Sequence, residues 1–249
     1  MGQSIAGLKE VTDQTGLETL DNIAQANRFN RWMYETISRD MTGNILEIGS
    51  GIGNISAHFL ENRYSISLSD MRQEYCDFLR QKFEEKSNLK GIYQIDIIDP
   101  DFDKKHGDLF ETFDGVFALN IIEHVENDDL AVKNCLKLIK KDGMLVILVP
   151  AFMSLFNPFD EGLGHYRRYT RKNLEQQFRQ NNIRVLKSRY FNFAGTLGWW
   201  FSGNILKKKS IPTGQIKIYN SLVWLFRIVD HFTNSFVGLS VIITGRKQP

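Results

Sequence analysis

Three closely spaced glycines follow an apolar stretch, in the run Ile45-Leu46-Glu47-Ile48-Gly49-Ser50-Gly51-Ile52-Gly53-Asn54. Glycine accepts positive φ and lets a ligand approach the backbone, so a strand that opens into this loop predicts a binding site. The GxGxG spacing differs from the GxGxxG fingerprint of dinucleotide sites, which requires glycine where Asn54 stands. No lysine follows, as a Walker phosphate loop requires. The pattern therefore disfavours both of these site types.

Acidic residues stand at the ends of the next two predicted strands. Asp70 follows the strand predicted at 65–69, and Asp96 ends the following one. A carboxylate at the end of the second strand can accept hydrogen bonds from both hydroxyls of a ribose. The second acid is placed to reach an adenine amino group. A single acid would be an ordinary solvated loop residue, but two beside a glycine loop favour a nucleoside site.

Two histidines are candidate catalytic bases. His124 follows the fourth predicted strand, and His165 lies in the loop after the fifth. An imidazole titrates near neutral pH, so either ring can take a proton from a substrate hydroxyl. The alternative is a structural or packing role for each ring. The spacing of histidines and cysteines matches no metal-site pattern, so no metal site is predicted.

Two adjacent arginines, flanked by tyrosines, follow His165. Guanidinium groups bind phosphate or carboxylate through paired hydrogen bonds, so this cluster predicts recognition of an anionic group. The alternative is that the arginines pair with Asp160 and Glu161 and only fix the loop. The candidate substrate-binding residues are Tyr166, Arg167, Arg168 and Tyr169.

The elements that must position these residues alternate between strand and helix. Strands are predicted at 44–48, 65–69, 91–95, 113–119, 144–149, 183–188 and 239–244, and the first helix is predicted at 17–40. This order predicts an α/β fold, a Rossmann-like doubly wound seven-stranded sheet with its last strand antiparallel. The stretch before the last strand is unusually long for a connection. We therefore expect a main domain of residues 1–190 plus 239–249 and a C-terminal cap insertion of residues 191–238.

The assembled motifs resemble class I S-adenosylmethionine-dependent methyltransferases over roughly residues 28–190. Besides the glycine loop and the two acids, the resemblance rests on Phe113-Asp114-Gly115-Val116, Asn120-Ile-Ile-Glu123-His124-Val125 and Lys141-Asp142-Gly143-Met144-Leu145-Val146. It implies S-adenosyl-L-methionine as cofactor and S-adenosyl-L-homocysteine as product. The cluster from Asp160 to Tyr169 resembles one in bacterial methyltransferases associated with glycosyltransferases and cell-envelope synthesis.

The same resemblance implies roles for individual residues in cofactor binding. The glycine loop passes under the methionine part and the ribose, while Asp70 holds the ribose hydroxyls and Met71 packs on adenine. Asp96 and Ile97 line the adenine edge, and Glu47 orders the loop. The implied cofactor site comprises Glu47, Gly49, Ser50, Gly51, Gly53, Asp70, Met71, Asp96, Ile97 and Asn120.

Charge is unevenly distributed along the chain. Residues 1–150 carry 16 Lys and Arg against 25 acids, whereas residues 151–249 carry 15 against four, which predicts an anionic partner for the second part. Aromatic residues and Lys207–Lys209 within 191–238 predict contact with an anionic membrane surface, the alternative being a cap core with a solvated turn. No run is long enough to span a membrane. The two cysteines predict a reduced cytoplasmic protein, at most peripheral to the inner membrane face.

The predicted function is methyl transfer from S-adenosylmethionine to oxygen of a small or lipid-linked acceptor that bears sugar or phosphate. One alternative is a nucleoside-binding module without catalysis. Another is a nucleic-acid methyltransferase, which the basic C-terminal part suggests. No Asn/Asp-Pro-Pro-Tyr element follows the fourth strand, and no nucleic-acid-binding motif is recognisable, so no nucleic-acid partner is expected.

Overall fold

The computed structural model describes residues 24–206, 213–233 and 236–248. Within these ranges one mixed sheet contains the strands β1 (Asn44–Ile48), β2 (Ser65–Asp70), β3 (Leu89–Gln94), β4 (Phe113–Leu119), β5 (Ile139–Pro150), β6 (Ile183–Phe191) and β7 (Ser240–Lys247). Their spatial order is β3-β2-β1-β4-β5-β7-β6. The first five strands pair in parallel, and β7 runs antiparallel to both β5 and β6. The predicted fold class is confirmed.

Helices cover both faces of this sheet. They are α1 (Asn27–Ile37), α2 (Ser56–Glu61), α3 (Gln73–Phe83), α4 (Phe102–His106), α5 (Asp128–Leu138), α6 (Pro158–Gly162), α7 (Arg171–Gln180), α8 (Phe193–Trp200) and α9 (Thr213–Thr233). One apolar layer takes side chains from α5 and α7, and the opposite layer takes them from α1, α2, α3 and α9. Residues 17–23 of the predicted first helix lie outside the described residues.

The central strands determine where the loops of the site emerge. Leu46 of β1, Val116 of β4 and Leu145 of β5 are fully buried, as parallel strands covered on both faces require. In register, Ile48 pairs with Ser69 on one side and with Ala118 on the other. Because these strands are parallel, their carboxyl ends share one edge of the sheet. Ligands of such sheets bind at that edge.

Several strands are longer than the sequence pattern predicts, β5 and β6 most of all. β5 begins at Ile139 instead of residue 144, because its first residues are mostly polar and carry no apolar periodicity. In that stretch Asp142 has a φ of +61°, and the pairing register with β4 shifts between Phe113 and Gly115. β6 continues to Phe191, so the predicted cap boundary at 191 falls inside a strand.

The long connection between β6 and β7 therefore runs from 192 to 239 and contains α8, a π-helical turn (Phe201–Ile205) and α9. Asn192 (φ +67°) opens α8, where its Oδ1 accepts hydrogen bonds from Gly195 N and from the Tyr219 hydroxyl of α9. Asp230 near the other end of α9 accepts a hydrogen bond of 2.9 Å from Phe193 N. These bonds tie both ends of the connection to the end of β6. Whether it covers the bound ligand as a cap stays a prediction.

No described helix combines the length and the apolar character needed to cross a membrane. Lys207–Lys209, for which membrane contact is predicted, lie outside the described residues.

Candidate functional site

The glycine loop leaves β1 in a conformation that explains its composition. Gly49, Gly51 and Gly53 have φ of +71°, +52° and +77°, a region that residues with side chains rarely adopt. A Cβ on Gly49 would lie only 2.0 Å from Cδ1 of Ile121. Ser50 N donates to Ser69 O over 2.8 Å, so the loop is also fixed to the end of β2. The loop is therefore a rigid, bare stretch of backbone at the carboxyl edge of the sheet.

Glu47 supports this loop from within the protein. Its carboxylate is buried and accepts a hydrogen bond from the Ser56 hydroxyl at the start of α2. Burial raises the pKa of Glu47 to about 7, against the effect of the Ser56 and Ser50 hydroxyls. Because the side chain joins β1 to the helix after the loop, the geometry favours the loop-ordering role predicted for it.

Asp70 contacts the same loop from the end of β2. Its Oδ2 accepts from Gly51 N at 2.9 Å, and its Oδ1 accepts from Arg72 N at 3.0 Å. Burial raises the pKa of this carboxyl above its ordinary value. Each carboxylate oxygen has a further lone pair, so these bonds orient the group and leave acceptor capacity for a ligand.

The remaining predicted cofactor residues lie around the same edge. Met71 is 59% exposed, as a side chain that packs on a ligand requires. Ile95 N donates to Asp70 O over 2.9 Å, which holds the end of β3 beside β2. Asp96 accepts from Ile98 N at 3.0 Å, and the adjacent Ile97 is buried. The structure thus brings the two strand-end acids to neighbouring positions.

Asn120 connects the glycine loop to the next strand end. It directly follows β4, is exposed and has a φ of +54°, which asparagine tolerates better than most residues. Its backbone N donates to Leu148 O of β5 over 2.8 Å. The turn that it makes directs Ile121 onto Gly49, so the loops after β1 and β4 pack against each other.

The loop after β5 is organised around a buried carboxylate. Asp160 is fully buried, and its Oδ1 is 2.8 Å from both His165 Nδ1 and Arg168 Nε. Although burial opposes ionisation, these two hydrogen bonds hold the pKa of Asp160 below its ordinary value. Arg168 also donates to Ala151 O over 3.0 Å and stacks on the Trp199 ring of α8. This network attaches the loop to β5 and to the connection between β6 and β7.

The arginine cluster differs from the prediction. The Arg168 guanidinium is fully engaged in the interior, and Tyr169 is buried with its hydroxyl donating to Asp128 over 2.8 Å. Both side chains are buried and hydrogen-bonded within the protein, which favours the loop-fixing alternative over the predicted role in substrate binding. Arg167 donates to Glu126 O at 2.7 Å and pairs with Asp128 at 3.3 Å, while Tyr166 is 55% exposed. Of the four predicted residues, Tyr166 and Arg167 present surface to an approaching molecule.

The structure also brings together three side chains that sequence spacing did not connect. Glu123, His124 and His165 place one potential ligand atom each within 4.8 Å of one another. The loops that carry them are joined by a hydrogen bond of 2.8 Å from Tyr166 N to Glu123 O, and the two rings are 4.6 Å apart. The adjacency of β4 and β5 was the available signal, because it brings their following loops together. These three side chains could hold an ion, so the prediction that there is no metal site stays untested.

Glu123 is the most unusual member of this group. It is completely buried, and neither carboxylate oxygen has a hydrogen-bond partner on another described residue. Burial raises its pKa to about 8, with Arg168 opposing and Asp160 adding to the shift. His165 Nε2 approaches Oε1 to 4.0 Å. A carboxyl group in such surroundings requires either a proton or a cation.

Comparison with known proteins agrees with this architecture. Residues 46–145 match the sequence model of a methyltransferase domain family. No curated protein matches the chain. A SAM-dependent methyltransferase from Archaeoglobus fulgidus is 16% identical, with a TM-score of 0.56 over 88% of this chain and 94% of that one. Phosphoethanolamine N-methyltransferase 2 of Haemonchus contortus, solved with S-adenosyl-L-methionine, is 13% identical, with a TM-score of 0.60 over 100% of this chain and 61% of that one.

A third protein of similar structure is named as a cyclase and not as a methyltransferase. The [4+2]-cyclase SpnF is 14% identical, with a TM-score of 0.59 over 88% of this chain and 81% of its own. Such likeness establishes the fold alone. The family match, by contrast, covers the glycine loop, both strand-end acids and β4. Residues 46–145 thus match a methyltransferase domain, and this match together with the fold supports S-adenosyl-L-methionine as the cofactor.

Proposed function

We propose that this methyltransferase domain transfers a methyl group to an oxygen atom of a small or lipid-linked acceptor that carries sugar or phosphate. The observation that carries the proposal is the meeting of the glycine loop with the loop after β4, where Ile121 packs on Gly49 and His124 follows. A cofactor on the glycine loop and an acceptor beside His124 would then be neighbours at one sheet edge. Methyl transfer depends mainly on such alignment of the two reactants.

The residues of the chain fit the proposed cofactor. Gly49, Gly51 and Gly53 leave bare backbone where side chains would obstruct a ligand, and Asp70 offers lone pairs to ribose hydroxyls. Exposed Met71 offers an apolar surface to adenine. Bound S-adenosylmethionine supplies the electrophilic methyl group on its sulfonium. The protein's part is to hold that group against the acceptor and exclude water.

An oxygen acceptor must lose its proton, and two imidazoles on the loops after β4 and β5 are available to receive it. His124 is exposed, whereas the His165 side chain is only 7% exposed and is held by Asp160. His124 is therefore the group that can contact an acceptor directly, and His165 supports it from behind. Tyr166 and Arg167 remain on the surface of the same loop and can contact an anionic part of the acceptor.

An unusual apolar surface supports a lipid-linked acceptor. The outward face of α9 carries large apolar side chains at helical spacing, and the π-helical turn adds more. These exposed residues are Ile218, Leu222, Trp224, Leu225, Ile228 and Phe232, with Trp200, Phe201, Ile205 and Leu206. An apolar face of this kind fits a helix that lies in a membrane interface.

Basic groups border this apolar surface. A groove of about 670 Å³ between α1 and α9 is lined by Arg28, Arg31 and Arg227 together with Trp224 and other apolar side chains. Glu35 pairs with Arg31 at 3.0 Å and with Arg227 at 2.7 Å, so a net positive charge remains. Cations beside an apolar face favour anionic lipid as the surface that this helix meets.

The test is transfer of a ¹³C-labelled methyl group from S-adenosylmethionine to bacterial envelope extracts, separated into lipid and aqueous phases. We expect a labelled product in the lipid phase whose NMR shift identifies an O-methyl group, and none with Gly51→Val. Cofactor binding without any labelled product would favour a non-catalytic module. Label on RNA or DNA would favour a nucleic-acid methyltransferase, and an N-methyl or C-methyl signal would contradict oxygen as the acceptor atom.

A further inference from the structure

The cluster of Glu123, His124 and His165 has the composition of a metal site. Two imidazole nitrogens and one carboxylate oxygen lie within 4.8 Å of one another. Ligands bound at ~2.1 Å to one ion lie about 3–3.5 Å apart, so closure requires movements of roughly an ångström or less. His124 is exposed and stands on a short 3-10 turn (Ile122–His124), so its ring has room to adjust.

The burial of Glu123 supplies an independent reason for a cation. Its side chain is completely buried, and neither oxygen has a hydrogen-bond partner on another described residue. The guanidinium of Arg168 is already bonded to Asp160 and to Ala151 O, so it does not serve Glu123 directly. Removing a carboxylate from water is costly unless it is paired or coordinates a metal. A cation between Glu123 and the imidazoles provides that partner.

Asp160 prepares His165 as a ligand. The 2.8 Å contact between His165 Nδ1 and Asp160 Oδ1 places the proton on Nδ1 when the ring is neutral. Nε2, which is 4.0 Å from Glu123 Oε1, then presents a lone pair toward the carboxylate. Two such acceptors need a shared proton or a cation between them, and the second imidazole beside them favours the cation. A carboxylate that orients the far nitrogen is the usual second partner of a metal-bound histidine.

We propose that Glu123, His124 and His165 bind one divalent transition-metal ion, of which Zn²⁺ is the best match to two imidazoles and one carboxylate. Three protein ligands are the number found in sites that keep a position open for water or substrate. The site lies on the loops after β4 and β5, beside the loop that holds the cofactor. The ion therefore binds where the acceptor oxygen is expected.

The role of the ion in catalysis rests on the proposed function, whereas its binding does not. An acceptor hydroxyl that coordinates the ion loses its proton to water more readily. The oxygen then forms a bond to the methyl carbon as the carbon–sulfur bond breaks. The products are the methylated acceptor, S-adenosylhomocysteine and one proton. In this arrangement His124 is a ligand and the direct base is solvent.

The experiment uses the full chain after dialysis against a chelator. Co²⁺ is titrated in and followed by its visible d–d absorption, and Zn²⁺ is then added to displace it. We expect one equivalent of Co²⁺ with the spectrum of a nitrogen- and oxygen-ligated ion. His124→Ala and Glu123→Gln should weaken binding by at least the 10–100-fold that loss of a supporting partner costs. Because His124 is exposed, its variant is expected to keep the fold.

Matched controls are His231→Ala and Glu85→Gln, which remove an exposed imidazole and an exposed carboxylate that are not part of the cluster. Both should bind Co²⁺ as the wild type does. The proposal is overturned if folded wild type binds neither ion, or if His124→Ala binds Co²⁺ equally well. Calorimetry with S-adenosylhomocysteine on the same samples separates the two claims, since the metal site can fail while cofactor binding persists.

Discussion

At the residue scale, Glu47 gives the protein a pH dependence that its surface acids do not. Burial raises its pKa from 4.5 to about 7. Between these two pH values the folded protein therefore keeps a proton on Glu47 that the unfolded chain has released. The contribution of protonated Glu47 to the free energy of unfolding is therefore complete below pH 4.5, and it is lost as the pH rises through about 7. Glu47→Gln keeps an acceptor for Ser56 but removes the ionisation.

We expect the free energy of unfolding of wild type to fall between pH 4.5 and 7 more steeply than that of Glu47→Gln. Urea denaturation at a series of pH values measures the difference. Glu85→Gln, which changes an exposed glutamate just after α3, should keep the wild-type slope. Identical slopes for Glu47→Gln and wild type would show that this carboxyl is ionised in the folded protein.

At the same scale, local sequence patterns located the candidate cofactor residues at the sheet edge but did not show how the loops after β4 and β5 come together. Asp70 and Gly49 belong to local patterns in which a strand, its end and its loop are contiguous. Glu123 and His165 are distant in sequence and become neighbours only through the pairing of β4 with β5. The burial of Arg168 could not be predicted from the sequence either. Nothing in an Arg-Arg pair indicates which of the two guanidinium groups lies in the interior.

At the scale of elements, the loop after β5 contains two adjacent arginines with opposite tasks. Arg168→Ala leaves the buried Asp160 without its main partner, and such a loss costs about 3–5 kcal/mol. Arg167→Ala removes a partly exposed ion pair with Asp128, which is worth about 0–1 kcal/mol. Urea denaturation should therefore separate the two variants clearly. Equal stabilities would mean that Asp160 finds another partner.

The glycine loop allows a second comparison between matched positions. Gly51 has a φ of +52°, where a β-branched residue is strained. Gly107 has a φ of −60°, and a Cβ added there would have nothing within 4 Å. Gly51→Val should abolish binding of S-adenosylhomocysteine in calorimetry, while Gly107→Val should leave it unchanged. Retained binding in Gly51→Val would mean that the cofactor does not approach this part of the loop.

The strands and helices themselves were largely predictable. β1 and β4 have the predicted bounds, because their apolar periodicity begins and ends with the element. β5 begins earlier than predicted. The sequence pattern missed its first residues because most of them are polar. Periodicity reports burial, and residues 140–142 between the buried Ile139 and Gly143 are not buried, so this extension gives no clear strand pattern.

At the scale of the whole molecule, the exposed apolar face of α9 leads to a prediction about membranes. The full chain should float with vesicles that contain anionic lipid, and not with neutral vesicles, because basic groups border the face. Replacing Ile218, Leu222, Leu225 and Phe232 with Ser should abolish flotation, as should replacing Lys207–Lys209. Leu186→Ser, an exposed leucine on β6, is the matched control and should still float.

Absence of flotation at low salt would remove the membrane from the account and leave a soluble acceptor. Flotation of the four-serine variant at the wild-type level would show that another surface of the molecule contacts the lipid. The aromatic and lysine-rich composition of this region is visible in the sequence, and it led to the prediction of membrane contact. It did not reveal which face of α9 is outward, because apolar residues occupy both faces of the helix.

The central claim is that S-adenosylmethionine binds at the carboxyl edge of the sheet with Asp70 on its ribose. Calorimetry with S-adenosylhomocysteine tests it most directly. We expect one equivalent bound by wild type and by Asp77→Ala, an exposed acid on α3. Asp70→Ala should bind about tenfold more weakly or worse, since a hydrogen bond to a charged group contributes about 1.5–3 kcal/mol. No binding by wild type, or unchanged affinity in folded Asp70→Ala, would contradict the account.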